Sequence, residues 1–294
     1  MTFDIGDGVD SAVNYILDNF APLLDFIAAA IGAVTNSIQA LLLAAPMPLG
    51  LAVFVLLSLW RVGFSFAVFT ALSLWLVDHM GLWSAMMETL SLVIASTLVA
   101  MLIGLPLGIA MARSNRVAAV VRPVLDLMQT MPAFVYLIPA AMFFGLGAVP
   151  GTIATVIFSM PPVVRLTNLG IRQVHVEFIE AGNAFGCTAS QLLFKVQLPN
   201  ALPSIMAGIN QTIMLSLSMV VIASMIGAGG IGNTVLTGIQ RLDVGTGFEG
   251  GIAVVILAVI LDRITQSLGK DRASLWRSLF RRQARQQVAS TAAA

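Results

Sequence analysis

The sequence predicts an all-α polytopic membrane protein with about seven transmembrane helices. Three observations carry this. Hydrophobic residues make up 58% of the 294 positions, and the mean hydropathy is +0.95. Charged residues make up only 10%, where a soluble domain carries roughly a quarter. The apolar runs are long and do not alternate, which favours a helical bundle over an outer-membrane barrel whose strands alternate lumen and lipid faces.

The elements follow in order. Residues 1–45 open with Asp4, Asp7 and Asp10 and no basic residue, so no cleavable leader is expected. From 20 to 45 the chain is apolar but dotted with Asp25, Asn36, Ser37 and Gln39. An amphipathic helix on the outer face is expected there, with an eighth span as the alternative. Spans are then expected at 47–60, 62–78, 86–111, 133–146, 150–166, 204–227 and 250–268. The first two are short and flank Arg61-Val62-Gly63. An arginine at mid-membrane is costly, so a hairpin turn at the surface is expected. Gly104-x-x-x-Gly108 permits close helix approach, with Pro106 bending the helix between them. Pro132, Pro139, Pro161 and Pro162 punctuate the middle spans. The permease body is thus placed at 46–268, followed by a basic tail at 269–294.

Charge sets the orientation. On this assignment every Lys and Arg except Arg241 falls on one side, including Arg61, Arg113, Arg165, Arg172 and the tail from Lys270 to Arg285. That side is expected to be the cytoplasm, with the acidic N-terminus outside and the C-terminus inside.

Catalytic chemistry is not visible. Cys187 is the only cysteine, and His79 and His175 fall on opposite sides, so no metal cluster is expected. Gly227-Ala228-Gly229-Gly230-Ile231-Gly232 fits the dinucleotide pattern GxGxxG. It follows an apolar run rather than a strand in a βαβ unit, so it reads as a glycine-rich exit from a membrane helix. Glu88 and Asp262 sit at span ends and are expected to be interfacial. Without mid-span carboxylates the spans lack an obvious engine, and free energy for uphill movement would come from a partner. The polar face of the sixth span, with Asn210, Gln211, Ser216, Ser218 and Ser224, is the candidate translocation path.

The most informative stretch is the polar interruption from about 165 to 200. It contains Glu177, Glu180-Ala181-Gly182, Gly186 and Val196-x-Leu198-Pro199. These residues resemble the EAA loop of importer-type ABC permeases. Gly182 departs from the family's usual alanine. Met128-Gln129-Thr130-Met131-Pro132, Gly104-Leu105-Pro106-Leu107-Gly108, Asn210-Gln211-Thr212 and Leu261-Asp262-Arg263 resemble the glycine betaine/proline betaine branch. The likeness spans about residues 45–268.

The resemblance implies a type I ABC importer permease fold in the bacterial inner membrane. It implies that Glu177, Glu180, Ala181, Gly182, Gly186, Leu198 and Pro199 couple the chain to a cytoplasmic ATPase. It adds Gln129 and Thr130 to the path. A second copy of the permease, ATPase subunits holding ATP and magnesium, a periplasmic or tethered binding protein and membrane lipid are the implied partners; no nucleic acid is expected. The chain contains no GxxxxGK[ST] sequence, so it is expected to be a non-catalytic subunit without a cofactor of its own. The rival expectation is an ion-coupled secondary transporter acting without an ATPase.

Overall fold

The computed structural model describes residues 5–268 and contains no strand among them. In order come α1 (Ile5–Ala44), α2 (Met47–Arg61), α3 (Phe64–His79), α4 (Trp83–Arg113) and α5 (Asn115–Thr130). A 3₁₀ turn at Ala133–Tyr136 leads into α6 (Leu137–Phe144), then α7 (Ala148–Arg172) and α8 (Val176–Ala184). A short α9 (Ala189–Gln191) and a π-helical stretch (Leu192–Gln197) run directly into α10 (Leu198–Ala223). The chain closes with α11 (Ile231–Arg241) and α12 (Val244–Leu268). The expected basic residues beyond Leu268 lie outside the described residues.

Five stretches are long and apolar enough to cross a membrane: Val13–Ala44, Trp83–Arg113, Ala148–Arg172, Ala189–Ile226 and Val244–Leu268. Four of the seven expected spans are among them. The expected span at 133–146 is half of a bent pair: α5 and the segment Ala133–Phe144 meet at 109°. At 15 and 16 residues α2 and α3 are shorter than these, about 22–24 Å against a hydrocarbon core of ~30 Å. They form the expected hairpin. Gly63 makes its turn at φ 133°, and Ser58 and Thr70 hydroxyls meet across it at 3.1 Å.

The centre of the bundle is α4, α7 and α10. In lipid there is little hydrophobic drive between helices, so small residues and hydrogen bonds do the packing. A Cβ on Gly104 would come within 2.5 Å of Val163, and one on Gly108 within 2.8 Å of the Val164 carbonyl. The expected close approach is therefore α4 on α7. Gly208 of α10 sits on the same segment, where a Cβ would stand 3.2 Å from the Pro162 carbonyl. The Ser216 hydroxyl donates to Ser159 at 3.0 Å inside this contact.

Residues 20–44 belong to one continuous 40-residue helix. Its second half docks on the start of α7: Thr35 meets Thr152 at 3.5 Å and Gly32 lies against Val149. Leu198-Pro199 opens α10, with Pro199 at its second position, but α9 and the π-helical stretch lead directly into it. The lead-in begins at the Thr188 cap. A proline at that second position has no N–H and crowds the carbonyl four residues back. The π-helical stretch from Leu192 to Gln197 lies directly before it. Glu88 and Asp262, expected at the interface, both have partners in the fold. Glu88 accepts the Gly230 N–H at 3.0 Å, and its neighbour Thr89 accepts the Ile231 N–H at 2.8 Å. The pair caps the start of α11 from α4. Asp262 accepts from Asn210 of α10 at 3.0 Å.

Candidate coupling surface and translocation groove

The polar segment is built in two parts. Its first arginines are structural. α7 continues through Arg165, whose guanidinium pairs with Asp126 of α5. At its last residue, Arg172 donates to the Asn168 side chain at 2.9 Å and to the Met111 carbonyl at 2.7 Å. Met111 is in the last turn of α4, where the carbonyls lack intrahelical partners. Arg172 thereby ties α7 to α4.

The second part is α8 and its exit. Glu177 stands in the first turn, where the helix dipole favours an anion. The exit is a Schellman motif: Gly186 N–H donates to the Asn183 carbonyl at 2.9 Å and Cys187 N–H to the Gly182 carbonyl at 3.0 Å. Gly186 has φ 75°, a conformation that the absence of a Cβ makes cheap. Thr188 then opens the next helix with a capping box. Its N–H donates to Gln191 Oε1 at 2.9 Å, and Gln191 N–H donates back to its hydroxyl at 3.3 Å. Gly182 is the one buried residue of α8. A Cβ there would come within 2.7 Å of Leu192 Cδ1, so the departure from alanine lets α8 lie on the π-helical stretch.

What α8 leaves outside is unusual for a polar loop. Phe185 is 89% exposed, Val176 58% and Phe178 50%. Glu177, Glu180 and Ala181 are exposed beside them. An apolar patch with acidic residues, on a short helix rigidly capped at its end, can dock a partner outside the bilayer. Leu198 is half-buried and Pro199 exposed, but both lie on the ascending helix rather than on α8.

The second feature is a groove of about 450 Å³ between α10 and α12. Asn210 and Gln211 line it, as the sequence suggested, together with Met206, Met214, Thr265 and Gln266. Ser218 is exposed further along α10 and donates to the Met214 carbonyl at 3.1 Å. Gln129 and Thr130 are exposed at the end of α5 and do not line the groove. Ser224 is only 4% exposed and donates to the Val221 carbonyl at 2.6 Å, so it faces protein. The α12 side of the groove was missed. The α10 side had a readable signal, since 203, 206, 207, 210, 211 and 214 share one helical face.

With this geometry in place, the relatives can be compared. A family model described as "Binding-protein-dependent transport system inner membrane component" matches residues 104–273. The chain belongs to this family. It is 50% identical over 267 residues to the glycine betaine/proline betaine transport system permease protein ProW of Escherichia coli (strain K12), covering 90% of this chain and 75% of that protein. It is 48% identical over 264 residues to the glycine betaine transport system permease protein OpuAB of Bacillus subtilis (strain 168), covering 90% and 94%. Against the glycine betaine/carnitine transport permease protein GbuB of Listeria monocytogenes serotype 1/2a (strain 10403S) the identity is 60% over 199 residues, covering 68% and 71%. A solved inward-facing MetNI methionine ABC transporter chain superposes with a TM-score of 0.56 at 23% identity, over 64% of this chain and 92% of that one. The fold is therefore that of an importer-type ABC permease. The chain is a multi-pass, inner-membrane permease component of a binding-protein-dependent transport system.

Proposed function

We propose that this permease moves glycine betaine, proline betaine, choline or a related compatible solute inward, driven by a separate ATPase that docks on α8. The exposed apolar and acidic surface of α8 carries the reading, because a helix presenting Phe178 and Phe185 beside Glu177 and Glu180 needs a protein partner. The names of the similar permeases support the solute class. The α8 side, to which nearly all basic residues map, is then the cytoplasm, and the C-terminus lies there. The turn at Gly227–Gly230 faces outward, toward a periplasmic or tethered binding protein. The part of α1 around Gly32 and Thr35 lies near that outer face, supported by its docking on the first residues of α7. A second copy completes the pore, and α10's exposed face with Gln211 and Ser218 lines the path. Gln129 and Thr130 stand at the cytoplasmic bend where the path opens. ATP and magnesium are held by the ATPase, since this chain has no GxxxxGK[ST] sequence.

In the proposed cycle, closure of the ATPase around ATP draws the two α8 helices together and turns the path outward. Loaded binding protein delivers solute, and hydrolysis resets the path inward. Proteoliposomes holding permease, ATPase and binding protein test this. Uptake of radiolabelled glycine betaine should require ATP and survive ionophores that collapse ion gradients. Uptake that follows an ion gradient without the ATPase would overturn it.

A further inference from the structure

Between α8 and α10 the backbone changes register. Residues Leu192–Gln197 are π-helical, and the Leu198 N–H donates five residues back, to the Leu193 carbonyl. Among the described residues no other stretch is π-helical. Such turns are rare and concentrate at functional sites.

The residues that follow make the wide turn cheap. Pro199 has no N–H, so the Lys195 carbonyl four residues back has no α-helical donor to lose. The Asn200 side chain donates to the Val196 carbonyl at 2.7 Å. In α-register the Asn200 backbone N–H serves that carbonyl. The side chain keeps it served when the backbone slips to the wider turn, so the register can change without stranding a buried acceptor.

The packing places this stretch between the partner surface and the bundle. Leu193 is buried in a cluster with Ile171 of α7 and with Ala201 and Ile205 of α10. α8 lies on two of the other residues: a Cβ on Gly182 would come within 2.7 Å of Leu192 and 3.7 Å of Val196. The chain's other link to α8 leaves from the end of α7, which Arg172 ties to α4. A displacement of α8 therefore reaches α10 through the π-helical stretch. Returning the stretch to α-register slips it by one residue. At ~100° per residue and a radius of ~2.3 Å, that moves a Cα by about 3.5 Å relative to α10.

We propose that Leu192–Gln197 is a two-state joint, π-helical in this structure and α-helical when the ATPase closes on α8, and that Asn200 is the positioning residue that lets it switch. This rests on the reading of α8 as the ATPase dock and of two permease copies in the transporter.

The test uses the assembled transporter in nanodiscs. Spin labels are placed on Cys187, the chain's only cysteine, and on Leu202→Cys, an exposed position of α10 beyond the joint. Distances are read without nucleotide and after trapping with ATP and vanadate. Labels on Cys187 alone, and on Leu202→Cys alone in a Cys187→Ser background, supply the distances between copies. Trapping should shorten the Cys187–Cys187 distance and shift the distance across the joint within one copy by about 3 Å or more. Shortening between copies with no shift across the joint overturns the inference alone, since α8 and α10 then move as one body. A Cys187–Cys187 distance that does not shorten removes the reading of α8 itself, and the inference with it. Asn200→Ala should keep assembly and unstimulated ATP hydrolysis but lose about fivefold in stimulation by loaded binding protein, the effect of one lost hydrogen bond on a two-state equilibrium. Asn200→Ser, whose hydroxyl can donate to the same carbonyl, should recover most of it. Wild-type stimulation in Asn200→Ala, or equal loss in both variants, also overturns the inference.

Discussion

Gly186 and Gly182 illustrate opposite uses of a missing Cβ. At Gly186 the demand is conformational: φ is 75° and nothing crowds the position. Gly186→Val forces a β-branched residue into the left-handed region, at a cost of about 1–3 kcal/mol. The Schellman exit of α8 should open, and ATP hydrolysis stimulated by loaded binding protein should fall while membrane insertion is unchanged. At Gly182 the demand is steric, but the atom in the way is Leu192 Cδ1, the far end of a flexible side chain. Alanine recovers up to ~1 kcal/mol of helix propensity there, and Leu192 can turn aside. Gly182→Ala should therefore change the melting temperature of the purified permease little. Gly182→Ile should lower it and expose α8 to protease, because a branched side chain cannot fit over Leu192 and Val196. Both glycines were visible in the sequence; only Gly186's role was legible, since a turn is local and the Leu192 contact is not.

At the level of elements, α4 links the two faces of the bundle. It caps α11 through Glu88 and Thr89 at one end and receives Arg172 at its last turn. Replacing both caps, Glu88→Ala with Thr89→Val, leaves the Gly230 and Ile231 N–H groups without these acceptors, each worth about 1–3 kcal/mol when buried. Hydrogen exchange at 229–235 should accelerate while exchange along α4 stays slow; unchanged rates would show that the caps carry nothing. Where α4 crosses α7, Gly108→Ala drives a methyl to 2.8 Å from a backbone carbonyl. That overpacking costs about 1–3 kcal/mol, and the thermal midpoint should drop accordingly. The Gly104-x-x-x-Gly108 contact was legible because its signal is local. The caps and the arginine ties between helices were not, because each joins residues 39 to 142 positions apart. The lead-in to α10 through α9 and the π-helical stretch was hidden by Pro199, which reads as the point where the helix begins.

For the whole molecule, composition alone established a helical membrane bundle, and the polar interruption pointed to a partner. The sequence could not show that the start of that interruption, through Arg172, is the end of α7, nor that Asp262 accepts from Asn210 of α10. Two separable surfaces result: α8, capped and exposed for a partner outside the bilayer, and the α10–α12 groove within it. The account's central claim is that α8 transmits the ATPase cycle. Its most direct test is ATP hydrolysis by the permease and its ATPase in nanodiscs, with and without binding protein loaded with glycine betaine, for wild type and Glu180→Lys. The account predicts strong stimulation in wild type and none in Glu180→Lys at equal membrane insertion. Wild-type stimulation retained in Glu180→Lys would contradict it.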